Sequence, residues 1–161
     1  MKAIDVAIKE IGVKEATGKN DGIPAQRYSR GDALPWCASF LLYCFDFADE
    51  DLAIWDTGKG PGIGPKSDFW KLRSVEAMEE YMKERGCWFG WNITPRRNDV
   101  IFFATRGRSD AGAGRHVGIV EQVKGAWVYT IEGNVGNKVS RQKHKLSSNR
   151  ITGYARVCLP H

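Results

Sequence analysis

The chain has 161 residues, of which 42% are hydrophobic and 11% aromatic. This length and apolar content suit one ordinary domain, over residues 1–161, with its own buried core. The formal net charge of +5 and the pI of about 9.1 favour anionic partners, such as nucleic acid, an anionic membrane surface or cell-wall polymers, without selecting among them. The lack of an internal repeat or low-complexity tract argues against a repeat protein.

The N-terminal segment MKAIDVAIKEIGVKE has charges every few residues and no apolar stretch of secretory or membrane-spanning length. We therefore expect no signal peptide and no membrane span, and synthesis in the cytoplasm. The cysteines form no C-x-x-C pair, which argues against a zinc ribbon and, in a reducing compartment, against structural disulfides. They are Cys37, Cys44, Cys87 and Cys158.

Helical spacing of apolar residues predicts the first two helices. Ile4, Ile8 and Ile11 mark one face of a short helix that Gly12 ends. Residues 36–48 are apolar around the full helical circumference, which a soluble chain tolerates only in a helix surrounded by other elements. This segment is therefore predicted to be the central helix.

A third helix is predicted after the glycine- and proline-rich loop of residues 56–65. Its apolar face is marked by Val75, Met78 and Met82, and Gly86 ends it at the C′ position.

The second half of the chain has the patterns of strands. Its short segments are rich in β-branched and aromatic residues and are separated by glycine-bearing turns. Helices followed by strands predict an α+β domain with a mostly antiparallel sheet. The predicted strands cover residues 100–104, 116–123, 127–134 and 154–159.

Cys37 lies where a helix should begin. Pro35 suits the first helical turn and Asp32 can cap it, so the thiol meets free backbone N–H groups and the positive end of the helix dipole, which favour a thiolate. The alternative is that Cys37 is a small buried hydrophobic residue. We keep that interpretation for Cys44, Cys87 and Cys158.

A cysteine nucleophile needs a base, and the sequence offers three histidines. His161 is the last residue and His144 lies in the basic run SRQKHKL, so both are predicted to be solvated. His116 opens the predicted strand HVGIVEQV after a glycine-rich loop, and it is the candidate base. Its alternative role is an ordinary histidine at a strand end.

The strand register decides what surrounds His116. If residues 124–126 form a three-residue hairpin loop, His116 pairs with Asn134 and Gly118 with Glu132. His116, Glu132 and Asn134 then share one face, with open space beside the imidazole at Gly118. Glu132 or Asn134 would accept the Nδ1–H of His116. A slip of one residue would turn these groups to opposite faces.

Several short motifs in a fixed order resemble the CHAP family of cysteine, histidine-dependent amidohydrolases and peptidases. They are PWCASF, NDVIFF, RHVGIV and IEGNVG, between Leu34 and Asn137. The resemblance implies a papain-like (CHAP/NlpC-P60-like) α+β fold, in which the cysteine begins a central helix packed on an antiparallel sheet. Where the family often has Gly-Asp before a strand, this chain has Asn98-Asp99, which puts that turn in doubt.

The resemblance also implies roles for the site residues. Cys37 would be the nucleophile, His116 the general base and Glu132 the residue that orients it, with Asn134 a further polar member. The Cys37 backbone N–H and an upstream side chain would hold the oxyanion.

Three residues are candidates for that side chain or for substrate contact: Gln26, Tyr28 and Trp36. For Gln26 and Tyr28 a plain loop role is the alternative. Trp88 and Trp91 are predicted either to line the substrate groove or to pack under the sheet.

Members of the family commonly cut bacterial peptidoglycan, at the amide joining N-acetylmuramic acid to L-alanine or within the stem peptide or cross-bridge. The expected function is therefore a peptidoglycan hydrolase that acts in the cell wall or periplasm. A phage endolysin released by a holin fits best. The alternatives are a secretion-system effector, with an immunity protein as partner, and a non-catalytic wall-binding module.

Other ligands are not supported by the sequence. No acidic run has the alternating oxygen ligands of a calcium loop, so we expect no metal and no cofactor. GPGIGPKS has Pro65 where a phosphate loop needs glycine. No stacking aromatics or recognition motif accompany the basic run, so we expect no nucleic-acid partner. The basic residues weighed for this role are Arg141, Lys143, His144 and Lys145 of that run, with Arg150 shortly after it.

Overall fold

The computed structural model describes residues 1–22, 28, 35–48, 74–109 and 115–156. In this part of the chain three helices pack against a sheet of six strands. The helices are α1 (Ala3–Lys9), α2 (Cys37–Asp46) and α3 (Val75–Glu84). The strands are β1 (Trp88–Gly90), β2 (Val100–Ala104), β3 (Arg115–Lys124), β4 (Trp127–Val135), β5 (Lys138–Lys145) and β6 (Ile151–Ala155).

The sheet has the order β1-β6-β2-β3-β4-β5, and all neighbouring strands are antiparallel. Both of its faces are covered. The larger core lies between the sheet and the helices, and the smaller core on the opposite face contains Ile101, Phe103, Val120, Val128, Ile151 and Tyr154. The predicted α+β, papain-like architecture, with an antiparallel sheet, is confirmed.

The central helix α2 packs against β3 and β4. A glycine in β4 permits the close approach, because a Cβ atom at Gly133 would lie 2.7 Å from the Cβ of Phe40. Most of the helix is buried, as its apolar circumference predicts, although Phe47 just beyond its end is 55% exposed.

The third helix ends as its sequence predicts. Gly86 has φ +69°, and the amide of Cys87 donates to the carbonyl of Met82 at 2.9 Å. The amide of Gly86 also donates to the carbonyl of Lys83, at 3.1 Å. This pattern is a Schellman motif, in which glycine supplies the left-handed residue after the helix.

The β3–β4 hairpin differs from its prediction in one place and agrees where it matters for the site. Lys124 pairs with Trp127, so the loop has two residues and the predicted three-residue loop was wrong. A bulge between Val120 and Gln122 adds the missing residue on β3. Beyond the bulge the pair Ile119–Ile131 has the register that sequence reasoning expected.

The turn before β2 keeps its shape without the family's glycine. Asn98 has φ +78°, in the left-handed region that asparagine tolerates better than most residues. Its side-chain oxygen accepts the amide of Ile4 at 2.9 Å. The next residue, Asp99, accepts two hydrogen bonds from Arg156, at 2.9 and 2.8 Å. The Asn98-Asp99 departure therefore leaves the turn intact.

Two strands were not predicted. β1 is only three residues long, and β5 was interpreted as a solvated basic run. The last strand also begins earlier than expected, at Ile151 rather than residue 154. None of the described helices is long and apolar enough to cross a membrane.

The cysteines divide into two kinds. Cys37 and Cys44 are free, whereas Cys87 is disulfide-bonded. The interpretation of Cys87 as a free buried thiol was therefore wrong. Cys158, like Asp32 and His161, lies outside the described residues.

Candidate active site

Cys37 is the first residue of α2, and its thiol is partly exposed. The first α-helical hydrogen bond runs from the amide of Phe40 to the carbonyl of Trp36, at 2.8 Å. The amides of the preceding turn therefore have no acceptor within the helix. They lie beside the thiol, where they favour negative charge.

Trp36 fixes the start of the helix rather than facing a groove. Its side chain is fully buried, and its indole Nε1–H donates to Oε1 of Glu15 at 2.6 Å. The other carboxylate oxygen of Glu15 accepts the amide of Asn20 at 2.9 Å. The start of α2, where Cys37 lies, is thus anchored to the loop that follows α1.

His116 is the second residue of β3, and its side chain is 19% exposed. The ring stacks on Phe103 with 5.9 Å between centroids, and its Nε2 lies 2.8 Å from Oε1 of Glu132. The expected acceptor is therefore present, but it takes Nε2 and not Nδ1. Nδ1 is left for the Cys37 thiol, which lies near enough to the ring to raise the pKa of His116.

Glu132 is buried, with only 3% of its side chain exposed. Its Oε2 accepts a hydrogen bond from the hydroxyl of Thr130 and lies 2.7 Å from Nε2 of His144. A Cβ atom at Gly118 would lie 2.6 Å from Cγ of Glu132. The space expected beside the imidazole at Gly118 is therefore taken by the carboxylate side chain, and only glycine leaves that space.

The electrostatics of the pair follow from its contacts. Burial acts to lower the pKa of His116, but hydrogen bonds and charge from Cys37 and Glu132 outweigh it and raise the pKa to about 9. Burial acts to raise the pKa of Glu132, but hydrogen bonds from His116 and His144, with that of Thr130, lower it to about 2. At neutral pH the site therefore holds an imidazolium between a carboxylate and a thiol, an arrangement that activates cysteine nucleophiles.

Asn134 does not join this cluster. The β4–β5 ladder shifts register between Glu132 and Val135, and Asn134 has φ +60°. Its side-chain amide points to Oδ1 of Asn20, at 3.5 Å. The shared face expected for His116, Glu132 and Asn134 therefore holds for the first two only, because the strand turns at Asn134.

The other substrate candidates are placed elsewhere. Tyr28 is fully buried, and its hydroxyl donates to Glu10 at 2.6 Å. Gln26 lies outside the described residues. Trp88 packs on Phe102 with 5.0 Å between centroids, whereas Trp91 is 43% exposed.

Sequence reasoning missed His144, which lies on the same carboxylate as His116. It was assigned to solvent because its neighbours are basic, yet its side chain is 17% exposed. The signal was the alternation along β5, where Ser140, Gln142 and His144 occupy one face and Arg141, Lys143 and Lys145 the other. In the described part of the chain, no three His, Cys, Asp or Glu side chains are placed to hold a metal ion.

Comparison with known proteins gives one family and one fold neighbour of note. The model of the CHAP domain matches residues 29–134. A solved structure described as "The crystal structure of Ly7917" is 15% identical, with a TM-score of 0.45, over 95% of this chain and 60% of that chain. This chain thus spans 60% of the length of that protein. No curated protein matches the sequence significantly.

Proposed function

The chain belongs to the CHAP family of cysteine, histidine-dependent amidohydrolases and peptidases, and from that membership we propose that it hydrolyses an amide bond of bacterial peptidoglycan. One observation carries the proposal: the thiol of Cys37 is free and partly exposed at a helix start, beside His116, whose Nε2 is held by a buried Glu132. Nucleophile, base and orienting group are thus together.

The proposed reaction has two steps. The Cys37 sulfur attacks the scissile carbonyl, and His116 protonates the leaving amine, which gives a thioester and a free amine. Water, deprotonated by His116, then attacks the thioester, releases the carboxylic acid and returns the thiol. The first-turn amides of α2 would stabilise the oxyanion in both steps. Glu132 keeps the ring oriented and stabilises its charged form.

The setting of the reaction belongs to the same proposal. The bond is the muramoyl–alanine amide or one within the stem peptide or cross-bridge, and the net charge of +5 suits an anionic wall. A disulfide at Cys87 is typical of proteins that work outside a reducing cytoplasm, which supports action in the wall or periplasm. Release by a holin, as for an endolysin, is the preferred route. A secretion-system effector with an immunity protein is the alternative.

Digestion of purified peptidoglycan tests the proposal. We expect the wild type to release fragments and Cys37→Ala to release none, while Cys44→Ala, a change at a free but buried cysteine of the same helix, retains activity. Mass spectrometry of the new termini identifies the bond. Equal release of fragments by wild type and Cys37→Ala would contradict a thiol mechanism, whereas no fragments from either protein would favour the wall-binding module.

A further inference from the structure

The carboxylate of Glu132 is shared between two histidines. Oε1 faces Nε2 of His116 at 2.8 Å, and Oε2 faces Nε2 of His144 at 2.7 Å. Both imidazoles also contact the ring of Phe103, with centroids 5.9 and 4.6 Å away. One ring thus supports the two histidines that hold the two oxygens of one buried carboxylate.

His144 lies on the face of β5 opposite the face of its two neighbours in the chain. Lys143 and Lys145, its neighbours in the chain, lie over the ring of Trp127, at 4.6 and 5.8 Å from its centroid. The described polar contact of the imidazole is with Glu132, and the next ionisable groups along this network are His116 and Cys37.

The donor on His144 limits how far the carboxylate of Glu132 can rotate. Without His144, Oε2 would keep only the hydrogen bond from the hydroxyl of Thr130, and the carboxylate could rotate more freely about its bond to Cγ and let the imidazole turn with it. A second donor on that oxygen fixes the plane of the carboxylate, as second-layer partners do for functional histidines. It also compensates for burial of the negative charge, because a buried carboxylate needs several donors to stay ionised.

We propose that His144 is a positioning residue for the hydrolysis: its Nε2–H holds Glu132, and Glu132 in turn holds the ring of His116 toward Cys37. This inference rests on the proposed function for its catalytic consequence. His144 itself touches neither the thiol nor the amide to be cut.

Two substitutions test the hydrogen bond of His144 separately from the packing of its ring. His144→Phe keeps a ring against Phe103 and removes the donor, whereas His144→Gln offers an N–H close to the position of Nε2. We expect His144→Phe to lower kcat on peptidoglycan by about tenfold with KM unchanged, and His144→Gln to recover most of the loss. Lys143→Arg, on the opposite face, keeps the charge of that residue, so it is the matched control and should leave both constants unchanged.

A second readout needs no substrate. The rate at which iodoacetamide alkylates Cys37 is followed by peptide mapping across pH, in each variant. We expect His144→Phe to slow alkylation near neutral pH by about tenfold, because a less firmly held imidazolium supports less thiolate. His144→Gln should restore the wild-type pH profile.

The outcomes are distinct. Wild-type kinetics and alkylation in His144→Phe would overturn the proposal, as would equal losses in both variants accompanied by equal losses of Tm, the result of a structural role. If His144→Phe does not fold, ring ¹⁵N NMR of the wild type decides, since the proposal requires a proton on Nε2 of His144. A wild type that leaves peptidoglycan intact, but shows the alkylation pattern, would contradict the proposed function and support the positioning role.

Discussion

At the scale of single residues, the contact with Cys37 and the carboxylate of Glu132 together raise the pKa of the candidate base. Glu132→Gln keeps the size of the side chain and removes its charge, so the pKa of His116 should fall from about 9 toward its ordinary 6.5. We expect kcat to fall by about 10- to 100-fold. The rate of Cys37 alkylation, plotted against pH, should change on its alkaline side as well. Glu121→Gln, at a buried carboxylate paired with Arg141, should leave that profile unchanged.

The same two ionisations make stability depend on pH. The raised pKa of His116 stabilises the fold fully below 6.5, and this contribution disappears as pH rises through about 9. The lowered pKa of Glu132 stabilises the fold above 4.5, and this contribution disappears as pH falls through about 2. Both are therefore fully present between pH 4.5 and 6.5. Urea unfolding at a series of pH values should show wild type losing its advantage over Glu132→Gln on both sides of that window; a constant difference would contradict the coupling.

Sequence reasoning placed Cys37, His116 and Glu132 in one candidate site, but it did not give the atoms that meet. Alternation along a strand places side chains on a face, whereas the choice between Nδ1 and Nε2 depends on rotamers that no pattern encodes. His144 was hidden for another reason. Its neighbours dominate the composition of the segment, and a basic strand has the same composition as a basic loop.

At the scale of elements, the contact between α2 and β4 sets the position of Cys37, the proposed nucleophile. Gly133→Ala would bring a Cβ atom within 2.7 Å of the Cβ of Phe40, so the helix or the strand must shift. We expect a loss of about 1–3 kcal/mol in the free energy of unfolding, and a lower kcat because Cys37 moves with its helix.

Gly90→Ala is the matched control for that change. Its new Cβ atom would have an ordinary contact, 3.4 Å from Oδ1 of Asn92. Unfolding curves and kcat measured together check the prediction. A stable Gly133→Ala protein with wild-type kcat would show that the close approach does not position the thiol.

The predicted elements succeeded where the local pattern was strong. The helix ended by Gly86 and strand β2 carry clear signals, so both were found. The turn of the β3–β4 hairpin was wrong, yet the register at Gly118 and Glu132 was right, because the bulge near Glu121 offsets the shorter loop. A bulge depends on how the strand must bend to pack against its neighbours, and no residue in the sequence of β3 indicates it.

At the scale of the whole molecule, the net charge of +5 should influence how the protein binds peptidoglycan, its proposed substrate. Peptidoglycan carries carboxylates, and their attraction to a cationic protein weakens as the screening length falls from about 30 Å at 0.01 M salt to about 3 Å at 1 M. We expect binding of the inactive Cys37→Ala protein to purified walls to weaken by about tenfold over that range, measured by co-sedimentation.

Two charge-reversed variants identify the source of that effect. Lys143→Glu with Lys145→Glu lowers the net charge by four, from +5 to +1, and should reduce both the affinity at low salt and its salt dependence. The pair Lys143→Arg and Lys145→Arg keeps the charge and should behave as the parent does. Because neither lysine touches the cluster of Cys37, His116 and Glu132, alkylation of Cys37 in the charge-reversed variant of the active protein should keep its wild-type rate. Wall binding that does not depend on the salt concentration would instead mean that uncharged contacts hold the wall. The basic surface would then not contribute to binding.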